Sequence, residues 1–116
     1  MKKIIVGLSV STLFLCSVWA QDISAKRGQE IFEAKGCVAC HKDNVDTIGP
    51  SLSTIARGYI GKEKELLSYL RGQAPAIIDP ARAPVMDPQL VKIRTLFDPD
   101  MQALTTYMIS ANDRPF

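Results

Sequence analysis

Two thiols and an imidazole fall within five residues, Cys37-Val38-Ala39-Cys40-His41. A thiol can add to a vinyl group, and an imidazole can bind iron. Haem carries two vinyl groups, so two intervening residues in a turn let each sulfur reach one of them. His41 follows directly, and its ring can swing beneath the porphyrin plane. The segment reads as the attachment site of one covalently bound haem c, tethered by Cys37 and Cys40 and ligated by His41. Cys and His each make up about 2% of residues, so the pattern arises by chance in roughly one chain per thousand of this length.

Two other chemistries use the same residue types. A dithiol redox pair of thioredoxin type needs a strand before the motif and a parallel sheet around it. Here a helix-like segment precedes it and no βαβ pattern follows. A zinc site fails on ligand count, because two Cys and one His make three and no second cluster exists. His41 is the only histidine of the 116 residues, which limits the chain to one His-ligated haem and rules out a second imidazole ligand. A methionine thioether is then the expected sixth ligand. Met101 and Met108 share a face of one expected helix and read as core packing. Met86 lies between Pro84 and Pro88, in a stretch read as irregular, where a side chain can be aimed at iron. The expected metal ligands are therefore His41 and Met86. An iron filled on both sides has no place for a substrate. That favours one-electron transfer between protein redox partners over catalysis, and over a haem enzyme or gas sensor with a vacant site.

The elements that must hold these residues read as all-α. Ala25 to Lys35 has an apolar side in Ile31, Phe32 and Ala34, a cap in Asp22 or Ser24, and a stop in Gly36. Gly49-Pro50 marks a turn before a short apolar stretch, Leu52 to Ala56. Glu63 to Arg71 carries Leu66, Leu67 and Leu70 at helical spacing and ends at Gly72. Ala74 to Pro88 holds Pro75, Pro80, Pro84 and Pro88, which argues against one continuous helix or a central strand. Gln89 to Phe97 follows as a helix, with Leu90, Ile93 and Leu96 or Phe97 inward. Asp98-Pro99 opens the last helix, with the Asp98 carboxylate expected as its cap and Pro99 in the first turn, and the stripe is Met101, Leu104, Tyr107, Met108 and Ala111. The segment Asp43 to Asp46 carries no signal of its own.

Residues 1–20 have the layout of a cleaved export signal: Lys2-Lys3, an apolar run from Ile4 to Val18, and Ala20 before a polar Gln21-Asp22. The run is short for a membrane span, which takes about 20 residues, so an uncleaved anchor is the weaker reading. Leu15 is too bulky to precede a lipidated Cys16. The mature domain is then residues 21–116, in the periplasm. The whole chain has 14 basic and 12 acidic residues. Removing Lys2 and Lys3 leaves twelve of each, and no charge argument for nucleic acid or an anionic membrane remains.

With these motifs in hand, the sequence resembles the class I c-type cytochromes, in their small monohaem bacterial form. Gly28 and Phe32 stand before the motif as in that family's first helix. Gly49-Pro50-Ser51-Leu52, Pro84-Val85-Met86-Asp87-Pro88 and Leu104-Thr105-Thr106-Tyr107 match its later segments. The resemblance implies a small cytochrome c fold, four to five helices around one haem. It also implies His/Met axial ligation, with the Pro50 carbonyl accepting the His41 Nδ1–H bond. It places Gly28 and Phe32 against the last helix near Leu104 and Tyr107. It further implies an electron carrier in a respiratory or related electron-transport chain, without small-molecule substrate. The alternative is a haem subunit of a larger oxidoreductase, for example one acting on a sulfur compound. Tyr59, Arg57 and Arg82 are candidates for the haem propionates. Some relatives place a Trp in the loop before the Met ligand, against a propionate, whereas the only Trp here is Trp19, and that loop reads Ala76-Ile77-Ile78-Asp79-Pro80-Ala81-Arg82.

Overall fold

A computed structural model describes residues 4, 7 and 16–115, with the side chains of 16–21 left aside. Five α-helices and three short 3-10 turns make up its regular structure, and no strand occurs among the described residues. The expected all-α architecture is what forms. The expected leader falls for the most part outside the described residues.

Helix α1 runs over Cys16–Ala34, so it starts nine residues before the expected Ala25. No Gly or Pro interrupts residues 16–27, and a helix once nucleated extends easily through such a stretch. Ile31 and Phe32 are buried, while Ala34 is exposed and does not belong to the apolar side. Helix α2 is Leu52–Gly58, and its cap Ser51 accepts a hydrogen bond from the Thr54 backbone N–H. Helix α3 is Glu63–Leu70, with Glu63 and Glu65 in the first turn, where the helix dipole favours negative charge. Helix α5 is Asp98–Ile109, and Pro99 lies in its first turn as expected. Asp98 does not cap it: Phe97 holds that position, and the Asp98 carboxylate accepts from the Arg71 guanidinium instead.

The proline-rich stretch departs from expectation. Helix α4 spans Ala83–Ile93, six residues earlier than the expected start and four short of the expected end. Pro84 sits in the first turn, where its missing N–H has no partner to lose. Pro88 lies inside the helix and forfeits one bond, the one its N–H would have made to the Pro84 carbonyl. Leu90 and Ile93 are buried, which offsets that loss. Leu96 is half-buried, whereas Phe97 is 84% exposed and does not face inward.

The core is built on the crossing of α1 and α5. A Cβ placed on Gly28 would lie 2.0 Å from the Ala103 carbonyl oxygen and 2.6 Å from Tyr107 Cβ. Only glycine permits this approach. One turn later the Phe32 ring meets Tyr107 edge-on, with centroids 5.4 Å apart. Arg27 Nε and Nη2 each donate to the Asp100 carboxylate at 3.0 Å, clamping the same crossing from outside. Leu52, Ile55, Leu66 and Leu70 bring α2 and α3 onto the core.

Candidate haem site

The motif lies on a 3-10 turn, Cys37–Ala39, directly after α1 and Gly36. The backbone N–H groups of Cys40 and His41 both donate to the Cys37 carbonyl. This tight turn sets both sulfurs beside one cavity of about 390 Å³. Clefts of this size suit a cofactor. Cys37, Cys40, His41, Pro50 and Met86 all line it. Cys37 and Met86, 49 positions apart in sequence, therefore meet at one place. Both thiols are free. Burial pushes the Cys37 thiol above its ordinary value, with Cys40 adding to the rise. A dithiol oxidoreductase relies on the opposite, a thiol whose pKa is lowered.

Pro50 presents its carbonyl 2.6 Å from His41 Nδ1, the contact that the resemblance implied. The loop around this contact is stitched by backbone bonds. Gly49 N–H donates to the Cys40 carbonyl, and Leu52 N–H to the Lys42 carbonyl. A Cβ at Gly49 would come within 2.8 Å of His41 Cε1, so the loop lies hard against the imidazole. With Nδ1 donating to a carbonyl, Nε2 is left to bind a metal.

Met86 is half-buried and points from α4 rather than from an irregular loop. The other two methionines differ in where they lie. Met101 is fully buried core, as expected, whereas Met108 is buried and also lines the cavity. Of the propionate candidates, Tyr59 and Arg82 line the cavity and Arg57 does not. Arg57 instead donates to Ser53 Oγ. Arg82 bonds Asp79 and the Ile48 carbonyl, tying the start of α4 to the loop that follows the motif. The Tyr59 phenol is pushed up to about 12, chiefly by burial, so it stays neutral at physiological pH.

Tyr69, Ile48, Ile77 and Ile78 also line the cavity and were not singled out from the sequence. The apolar pair Ile77-Ile78 contributes to its wall in a chain without a Trp in that loop. Asp46, from the segment without a signal, lies outside the cavity but bonds the loop behind the imidazole. Its Oδ1 accepts from the Ser51 N–H at 2.8 Å and from Thr54 Oγ1 at 2.9 Å. Only an Asp followed at five and eight residues by Ser and Thr hinted at it, and that pattern is too common to read alone.

A free thiol pair on one turn, an imidazole held by a carbonyl, and a thioether on the same apolar cavity form a donor set fit for haem c. The sequence model of the cytochrome c family matches residues 25–112. The chain belongs to the cytochrome c family. It is 28% identical to cytochrome c-551 of Pseudomonas aeruginosa over 106 residues, covering 89% of each chain. Over 45 residues it is 33% identical to cytochrome c-552 of Hydrogenobacter thermophilus, covering 39% of this chain and 45% of that one. The family carries one covalently bound haem c and transfers electrons, and so does this cytochrome.

Proposed function

We propose that this cytochrome is an exported, monohaem one-electron carrier between protein redox partners in the periplasm. The observation that carries the reading is the convergence of Cys37, Cys40, His41 and Met86 on one cavity. The haem supplies a one-electron couple at its iron. Cys37 and Cys40 would tether it by thioethers, and His41 and Met86 would hold the iron. The Pro50 carbonyl fixes the His41 tautomer and orientation. A soft thioether favours Fe(II) relative to a second imidazole. The apolar walls, among them Ile55, Leu66 and Leu70, exclude water from the site. His41 is held by the Pro50 carbonyl and Met86 by helix α4, so little rearrangement is expected to accompany the change of oxidation state.

Partner contact is expected on the rim of the cavity, where Val85, Ile48 and Ile77 are exposed. Electron-transfer encounters of this kind are small and short-lived. Residues 1–20 would direct export and be removed. A second reading, a haem subunit of a larger oxidoreductase, draws on exposed Val91 and Phe97 beyond the rim, which a permanent partner would cover. Co-purification at fixed stoichiometry separates the two.

The deciding experiment is expression with a c-type maturation system, followed by denaturation and a pyridine haemochrome spectrum. A c-type spectrum that stays with the polypeptide supports the reading. A colourless chain removes it.

A further inference from the structure

The Pro50 carbonyl and the Ser51 N–H belong to one peptide group. On one side His41 Nδ1 lies 2.6 Å from the carbonyl oxygen. On the other side Ser51 N–H donates to Asp46 Oδ1 at 2.8 Å. Imidazole, peptide and carboxylate are thus joined in series. We propose that Asp46 is a positioning residue that tunes the proximal ligand His41 through the Pro50–Ser51 peptide. This rests on the reading of His41 as an axial ligand.

The physical chain is short. A peptide N–H bonded to a carboxylate shifts electron density toward its own carbonyl oxygen, because hydrogen bonds in series polarise one another. A more negative carbonyl accepts more strongly from Nδ1–H. The imidazole gains anionic character and becomes a better donor at Nε2. Such a ligand favours Fe(III), so Asp46 lowers the potential that the thioether raises. The carboxylate is charged when this matters. Hydrogen bonds from Ser51 and Thr54 hold Asp46 below the usual carboxylate range. Asp46 also fixes the geometry, since Thr54 Oγ1 donates to the same oxygen while the Ser51 side chain caps α2. The cap, the peptide and the imidazole therefore share one anchor. The carboxylate is exposed to solvent, which keeps the effect modest.

The test compares holo wild type with Asp46→Asn and with Asp43→Asn. Asn keeps an acceptor for the Ser51 N–H but removes the charge. Asp43→Asn removes the same charge from the same loop, and the Asp43 side chain makes no bond to this peptide. Midpoint potentials are measured by spectroelectrochemistry, and the His41 Nδ1–H proton is followed by NMR in the reduced state. Asp46→Asn is expected to favour Fe(II) about threefold, which at ~59 mV per tenfold for one electron is about 28 mV. It is also expected to move the Nδ1–H proton upfield, with Asp43→Asn changing both less. An unchanged potential, or an equal or larger shift in Asp43→Asn, overturns the proposal. If Asp46→Asn does not mature, Thr54→Val replaces it. That change frees Oδ1 from its second donor, so the potential should fall; a potential that holds or rises overturns the proposal. A wild-type spectrum without low-spin His/Met character would instead remove the underlying ligand reading, whatever Asp46 does.

Discussion

Two methionines line the cavity, and their surroundings tell them apart. Met108 is buried on α5 among core residues, whereas Met86 is half-buried on α4. Met86→Ala is expected to keep the haem attached, lower the potential and let the reduced protein bind carbon monoxide. Met108→Leu, a volume-conserving change, should leave spectrum and potential near wild type at a stability cost below about 1.5 kcal/mol. Equilibrium redox titration and carbon monoxide difference spectra decide the matter, and a reversed pattern would make Met108 the ligand. Gly49 is the other position at which one atom matters. Its Cβ would meet the His41 ring at 2.8 to 3.0 Å and the Cys40 carbonyl at 3.3 Å. Gly49→Ala is expected to turn the imidazole off its bond to Pro50 and to change the low-spin absorption of the oxidised protein. An unchanged spectrum would show that the loop can retreat.

Helix contacts govern stability rather than ligation. At the crossing of α1 and α5 the Gly28 Cβ position is filled by backbone, the Ala103 carbonyl at 2.0 Å. Backbone cannot rotate aside as a side chain does. Gly28→Ala must push the helices apart, and overpacking of this kind costs about 1–3 kcal/mol. For a domain of this size each kcal/mol lowers the melting temperature by about 4–8 °C. Thermal unfolding of the holo protein followed by circular dichroism measures it, and an unchanged midpoint would contradict the crossing. The same crossing bears on acid stability. Arg27 bonding holds Asp100 below the usual carboxylate range, and Ser51 and Thr54 do so for Asp46. A carboxyl lowered in the folded state stabilises it above the unfolded value, near 4, and loses that contribution as pH falls through the folded value. Stability to urea should therefore be flat above about pH 5 and decline below about pH 4. Asp100→Asn should show a shallower decline than wild type.

At the scale of the molecule, charge is nearly balanced, +2 for the whole chain. Without a dominant field, steering of a partner is weak. Without residues 1–20 the two signs balance, so electron-transfer rates with a charged carrier should change little with ionic strength. A steep salt dependence in stopped-flow measurements would point to a local patch instead. No helix among the described residues is long and apolar enough to cross a membrane.

Much of this was legible in the chain itself. The spacing of Cys37, Cys40 and His41 is local chemistry, set by a cofactor with two vinyl groups, and no fold is needed to read it. The single histidine bounded the ligand set for the same reason. Helical periodicity in Leu66 and Leu70, and the Asp98-Pro99 start, follow from short-range backbone rules and appeared where expected. The tertiary structure decided the rest. Prolines argued for an irregular stretch around Met86, yet α4 forms through Pro88, because burial of Leu90 and Ile93 outweighs one missing hydrogen bond. Asp98 exchanged its capping role for Arg71, a partner 27 residues distant. Asp46 gained its place because the loop folds back so that one peptide faces a carboxylate and an imidazole at once. Contacts between segments remote in sequence leave no periodicity and no local propensity to read, so only the folded chain records them.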